Sequence, residues 1–296
     1  MKQGSGSRDD TMMRKELVSP IAIWIENTIR DFLQSSENSL GADPSEPAWG
    51  EPLVGFSRGD DPLYRQFQDD IGPFYLMPEE MYNRTFPERP VPAKHLTVIS
   101  WVLPQTEATK SEARREFWYP SERWARSRKY GEESNIRLQE HLAGTLQRAG
   151  YKALAPSQSP LWALAASERF GLCSNWSERH AAFAAGLGTF GLCDGLITPV
   201  GKAMRCGSVI ARVDIPPTQR PYTDRHAYCL FFSKGTCGAC IRRCPAGAIS
   251  AKGHDKEKCK AYMANAALPY VRSRFSLETY ACGLCQTKVP CESGIP

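Results

Sequence analysis

Eight of the eleven cysteines fall after residue 225: Cys229, Cys237, Cys240, Cys244, Cys259, Cys282, Cys285 and Cys291. Cys237-x2-Cys240-x3-Cys244-Pro245 is the closing part of the run that holds paired iron–sulfur clusters, in which the cysteine before proline ligates the other cluster of the two. The first cysteine of such a run would fall at Lys234, so Cys229 is the nearest replacement, with Cys206 as the alternative. Cys259, Cys282-x2-Cys285 and Cys291 form a second set. Together they make eight thiolates, enough for two [4Fe–4S] cubanes at four apiece. Crossed ligation then assigns Cys229, Cys237, Cys240 and Cys291 to one cluster, and Cys244, Cys259, Cys282 and Cys285 to the other. Zinc is the competing metal, since the two CxxC pairs also resemble a long zinc ribbon. A four-thiolate zinc site would leave Cys244, Cys259, Cys291 and Pro245 without a role. Cys173 and Cys193 lack a CxxC partner and are expected to be small hydrophobes, dispensable for metal content.

A disulfide scaffold would spread its cysteines more evenly, so the clustering points to the reducing cytoplasm. The N-terminus MKQGSGSRDDTMMRKEL has no twin arginine and no apolar segment with a cleavage site, and no run reaches about 18 apolar residues, so neither export nor a membrane span is expected. With 296 residues, 42% hydrophobic and 23% charged, the chain is neither disordered nor fibrous and can build a core without covalent staples. The net charge of +5 permits nucleic acid as a partner without requiring it.

The elements that must position these cysteines begin after a flexible arm over residues 1–18. Ser19 with Pro20 opens a helix whose apolar face is Ile21, Ile25, Ile29, Phe32 and Leu33. His95–Leu103, apolar on both faces, predicts a buried strand, and Ser208–Val213 a second. Residues 120–149 predict a helix, with Leu138, Leu142 and Leu146 on one face and Gly150 as the stop. Trp162–Phe170 and Ser177–Ala185 predict two short helices. The expected organisation is an α/β (α+β) body over 19–220 and a small cysteine-dense domain over 221–296.

Gly186, Gly188 and Gly191 match G-x-G-x-x-G, yet an alanine-rich helix precedes them where a nucleotide fingerprint needs a strand. A plain tight turn packing helix on sheet is one account of these glycines. Read whole, Ser174–Ile210 followed by the Cys-Pro motif and CGLCQTKVPCE resembles the epoxyqueuosine reductases and the catalytic part of reductive dehalogenases. The resemblance is specific over residues 174–296 and loose over 95–173. It implies a nitroreductase-like, cobalamin-binding body with a C-terminal two-cluster, ferredoxin-like domain, and a cytoplasmic reductase that passes electrons through the clusters to cobalt. Carried over residue by residue, Gly186, Gly188 and Gly191 match the glycine-rich segment. Thr198, Pro199, Gly201, Arg205, Gly207 and Ser208 match the cofactor-contacting turn and the strand behind it.

The chain departs from that family in two respects. It has no Asp between Asp70 and Asp194, where epoxyqueuosine reductases carry their proton donor, so Tyr130 and Glu133, with Glu132 beside them, are the candidate donors. The tRNA-holding helical extension common in those enzymes is also missing after Cys291, which weighs against tRNA and toward a small-molecule substrate or a partner corrinoid protein. The basic-aromatic stretch Arg114, Arg115, Trp118, Tyr119, Arg123, Trp124, Arg126, Arg128, Lys129 is the remaining candidate for RNA, against an exposed amphipathic helix. A ferredoxin- or flavodoxin-type donor is the expected source of electrons. A non-catalytic electron carrier that reduces a partner's corrinoid is the competing function.

Overall fold

Strand pairing and helix packing are defined in a computed structural model that describes residues 19–41, 43 and 45–296; the arm expected at 1–18 lies outside them. In chain order the body comprises helix α1 (Pro20–Gln34), strand β1 (Leu53–Arg58), helices α2 (Pro62–Ile71) and α3 (Pro78–Thr85), strand β2 (Thr97–Pro104), and helices α4 (Glu107–Arg115), α5 (Glu122–Arg126) and α6 (Glu132–Arg148). It continues with β3 (Ala153–Leu154), the hairpin β4 (Leu164–Ser167) and β5 (Gly171–Ser174), helix α7 (Glu178–Ala184), the hairpin β6 (Thr189–Phe190) and β7 (Leu196–Ile197), and β8 (Met204–Ala211). The C-terminal part holds α8 (Leu230–Lys234), α9 (Ala239–Arg243), the small hairpin β9 (Ile249–Ser250) and β10 (Gly253–His254), α10 (Lys256–Tyr262) and α11 (Leu268–Phe275).

The sheet runs β1-β2-β8-β3 and every pairing in it is antiparallel. Side chains of β2 alternate between its faces. Val98 and Val102 enter a core with α2, α3 and α7, while Ile99, Trp101 and Leu103 enter another with α1 and α6. Both faces are therefore covered, which is why β2 reads as a continuous apolar run. The expected strand at Ser208–Val213 begins earlier, at Met204, because β8 pairs along β2 from Met204↔Pro104 to Ala211↔Thr97.

The helix expected over 120–149 is present but carries a π-turn at Ser127–Gly131, where Trp49 Nε1 donates to Gly131 O at 3.0 Å. The helix expected at Trp162–Phe170 is instead the β4–β5 hairpin. Asn175 pins it from both sides, donating to Leu161 O at 2.7 Å and accepting from Ala163 N at 2.9 Å, so its apolar residues stand outward with Leu164 exposed. A second π-turn, Met263–Ala267, sits just before Pro269, whose missing N–H removes a regular helical bond there.

The C-terminal part is sewn to the body. Lys202 N donates to Cys291 O at 2.8 Å, and Ala203 packs with Val271, Leu277 and Ala281 from the other side. Arg243 donates to the carbonyls of Ala113, Glu116, Leu284 and Thr287, linking α4 to the final loop.

Candidate functional site

Cys229, Cys237, Cys240 and Cys291 line one narrow cavity, roofed by Gly191, Leu192 and Ile197 of the β6–β7 hairpin. Cys244, Cys259 and Cys282 lie close enough together to feel one another, and burial pushes the Cys282 thiol up to about 11. Cys285 lies at the seam, half-buried, with Cys282 on one side and Cys193 on the other. Among the described residues no three His, Cys, Asp or Glu side chains converge on a point that would hold a single metal ion. The nominated donors number eight thiols, the count a pair of cubanes takes. Their chemistry fits iron–sulfur clusters.

Two residues at this seam carry no motif signal. Lys202 is 3% exposed, and its Nζ donates to Cys193 Sγ at 3.2 Å. Burial opposes its charge, but the surrounding Cys193, Cys291, Cys285 and Cys240 thiols raise its pKa well above the ordinary value. Cys193 itself is held well below the usual thiol range by hydrogen bonding with Cys240 and Cys285 and by the Lys202 charge. It is therefore part of the cysteine cluster in space, unlike Cys173, which sits on the β4–β5 hairpin beside Lys256 at 3.4 Å. Cys206 lies on β8, its thiol pushed up to about 12 by burial, with Met204 Sδ at 3.5 Å; no cluster cysteine is among its contacts. His254 Nδ1 lies 3.1 Å from Asp194 Oδ2, and the Asp194 and Cys259 hydrogen bonds raise its pKa to about 10.

The residues assigned to a corrin behave differently. A Cβ on Gly186 would stand 2.8 Å from Gln219 O, on Gly188 2.3 Å from Ile197 O, and on Gly207 2.6 Å from the Trp101 indole. Gly191 faces the Ile197 side chain and the cysteine cavity. These glycines are explained by close packing of this protein on itself, and Gly186 additionally by a φ of +80°. Thr198 Oγ1 donates to Gly201 O at 2.7 Å, and Ser208 Oγ accepts from Trp176 Nε1 at 3.1 Å. Of the whole set only Arg205 keeps a buried N–H, Nε, without a hydrogen bond. The nominated residues do not form a cradle for a macrocycle.

Next to Arg205 lies an acidic floor that sequence reasoning reached only in part. Glu132 Oε2 is 2.6 Å from Arg205 Nε, out of hydrogen-bond alignment, and 3.5 Å from Arg128 Nη1; burial raises its pKa. Glu178, the first residue of α7, accepts from Ser157 Oγ at 2.7 Å, and Ser157 Oγ also reaches Gln139 Oε1 at 2.6 Å. One hydroxyl proton cannot serve both acceptors, so with Gln139 in this orientation a protonated Glu178 donating to Ser157 satisfies the chain. The Glu178 residue is only partly buried, yet its Oε2 is closed off from water and unbonded; burial lifts the carboxyl to about 7. An acid at the start of a helix ordinarily reads as a dipole partner, which hides a buried one. Tyr130, in the π-turn, packs its ring against Gly41 and under Lys129, and Glu133 is exposed.

The basic-aromatic stretch is largely neutralised by its own protein. Arg114 pairs with Glu107 and Glu292, Arg123 with Glu46 and Glu112, Arg126 with Glu122, and Arg128 with Glu132. Among the described residues no helix is long and apolar enough to cross a membrane.

No protein-family model matches the chain, and no curated protein matches it. Among solved structures it is similar to a catabolic reductive dehalogenase in complex with 3-bromo-4-hydroxybenzoic acid, at 18% identity over 91% of this chain and 36% of that one, with a TM-score of 0.48. It is similar to an epoxyqueuosine reductase from Bacillus subtilis at 16% identity over 92% and 67% of the two chains, with a TM-score of 0.45. An epoxyqueuosine reductase with a modified tRNA stem loop gives 16%, 92%, 67% and 0.42. These are the two groups of proteins that residues 174–296 resemble. The chain spans little more than a third of the dehalogenase's length.

Proposed function

We propose that the chain is an iron–sulfur reductase that takes electrons from an external carrier and delivers them, with a proton, to an acceptor at the body's β8 face. The observation that carries this reading is the gathering of Cys229, Cys237, Cys240 and Cys291 around one cavity, with Lys202 buried among Cys193, Cys240, Cys285 and Cys291 and with Cys244 and Cys259 near Cys282. Two bound [4Fe–4S] clusters would supply one-electron transfer. Cys229, Cys237, Cys240 and Cys291 would hold one, and Cys244, Cys259, Cys282 and Cys285 the other. Lys202 offsets the negative charge of the thiolates in a place water does not reach. On the body side, the Arg205 guanidinium, whose Nε lies 2.6 Å from Glu132 Oε2, adds positive charge for an anionic or carbonyl oxygen. Glu178, near 7, holds a proton it can release at neutral pH to a group that has gained electrons.

The competing reading, an electron carrier that reduces a partner's corrinoid, is favoured by the self-packed glycine turn, which leaves the nominated residues without a corrin cradle. Anaerobically reconstituted protein, titrated with dithionite and then with cobalamin, tests both. Broad visible absorption that bleaches on reduction supports the reductase reading, and its absence ends it. Cobalamin binding by this chain alone would remove the carrier reading.

A further inference from the structure

Beside the second cysteine group the surface opens into a cleft of about 650 Å3 whose lining includes Phe117, Trp118, Arg242, Arg243, Lys288 and the cluster cysteine Cys244. Phe117 and Trp118 are 61% and 65% exposed, the most exposed large apolar side chains described. Their loop is nonetheless held firmly. Arg243 Nη1 donates to Glu116 O at 2.6 Å, Tyr262 Oη donates to Trp118 O, and Tyr119 stacks on Tyr270 at 4.2 Å. Lys288 and Arg243 lie over the Phe117 ring. Among the described residues neither Arg242, Arg243 nor Lys288 pairs with a carboxylate, in contrast to the arginines at 114, 123, 126 and 128. Three cations without a carboxylate partner thus share this rim, around rigid aromatic side chains and beside Cys244.

We propose that this cleft is the docking surface for a small acidic electron-carrier protein, whose carboxylates meet Arg242 and Lys288 while its apolar edge covers Phe117 and Trp118. The inference rests on the iron–sulfur reading above. A protein fits better than a nucleic acid because four arginines of the stretch that would track a phosphate backbone are paired with carboxylates, and because the cleft reaches Cys244, a cluster ligand on that reading. Rigid aromatic side chains lose little freedom on binding, and unpaired rim cations steer an acidic partner.

The test compares wild type, the double variant R242E/K288E, and K94E as a remote charge control, each with iron measured per chain. Binding of an acidic plant-type [2Fe–2S] ferredoxin is titrated at low ionic strength, and reduction of the reconstituted protein by reduced ferredoxin and by dithionite is followed in stopped flow. The expected result is a loss of roughly tenfold or more in ferredoxin affinity and reduction rate for R242E/K288E only. Iron content and the dithionite rate should stay unchanged. Ferredoxin rates that fall equally in K94E, or not at all in the double variant, overturn the docking site while leaving the iron–sulfur reading intact. An RNA hairpin that binds wild type and is released by R242E/K288E, with ferredoxin reduction unaffected, overturns it in favour of nucleic acid. Wild type without iron removes both the reading and the site.

Discussion

The body and the C-terminal part reach order by different means. In the body, two apolar cores grip both faces of a four-stranded sheet, with Ile99, Leu103, Leu138 and Val209 fully buried on one side and Tyr64, Val98, Val102 and Ile210 on the other. At roughly 1.5 to 3 kcal/mol for each such side chain buried, this half has ample reason to fold. After residue 225 the helices are short, most side chains are only partly buried, and small apolar clusters such as Ala267, Val271, Leu277 and Ala281 stand beside the cysteines and Lys202. On the iron–sulfur proposal, a region with so little apolar burial would draw much of its stability from bound metal. The contrast is between a part ordered by two apolar cores and a part with short helices and little apolar burial.

The largest expected effect breaks that contrast directly. Protein prepared without iron should be cleaved rapidly by trypsin after residue 225, where Lys234, Arg242, Lys256 and Lys260 become accessible, while the body up to about residue 215 resists; mass spectrometry of the fragments reads this out. Equal resistance of both parts would show that the cysteine region folds on its own packing. Next is Gly188→Ala. The added methyl meets Ile197 O at 2.3 Å, a backbone atom that cannot swing away, so stability should fall by about 2 kcal/mol or more in chemical denaturation. An unchanged midpoint would restore the idea that the glycine leaves space for something else.

How much of this was legible in the sequence follows the same division. Thiol chemistry is carried by residue type and spacing, so Cys237, Cys240, Cys244 and Cys282 could be singled out before any fold was known. The buried strand Thr97–Pro104 was equally readable, because a run of β-branched and apolar residues has nowhere to go but the middle of a sheet. Glycine is ambiguous, since it permits close approach without saying of what; at 188 and 207 the neighbour is Ile197 O and the Trp101 ring. Lys202 and Glu178 were invisible because their significance is burial, which depends on chain segments remote in sequence. The hairpin at 164–174 escaped for a similar reason, its alanines reading as helix until Asn175 pins the loop.

A subtler test concerns Glu178. Its carboxyl titrates at about 7 in the folded protein and near 4.5 when unfolded, so the folded state holds the extra proton between those values. Stability should be greatest below pH 4.5 as far as this group is concerned, and should decline as pH rises toward 7, by about 3 kcal/mol at most. Glu178→Gln should flatten that part of the pH profile of denaturation, and an unaltered slope would mean the carboxyl is solvated. The smallest effect is expected at the surface pair Arg126–Glu122, where Arg126→Ala should cost no more than about 0.5 kcal/mol.

Metal analysis tests most directly whether the eight cysteines hold two clusters. Anaerobically reconstituted wild type should contain about eight iron and eight acid-labile sulfide per chain. Cys285→Ser should retain about half of each, because it removes a thiolate from one set and leaves the other complete. One or two zinc ions per chain with negligible iron and sulfide would contradict the account.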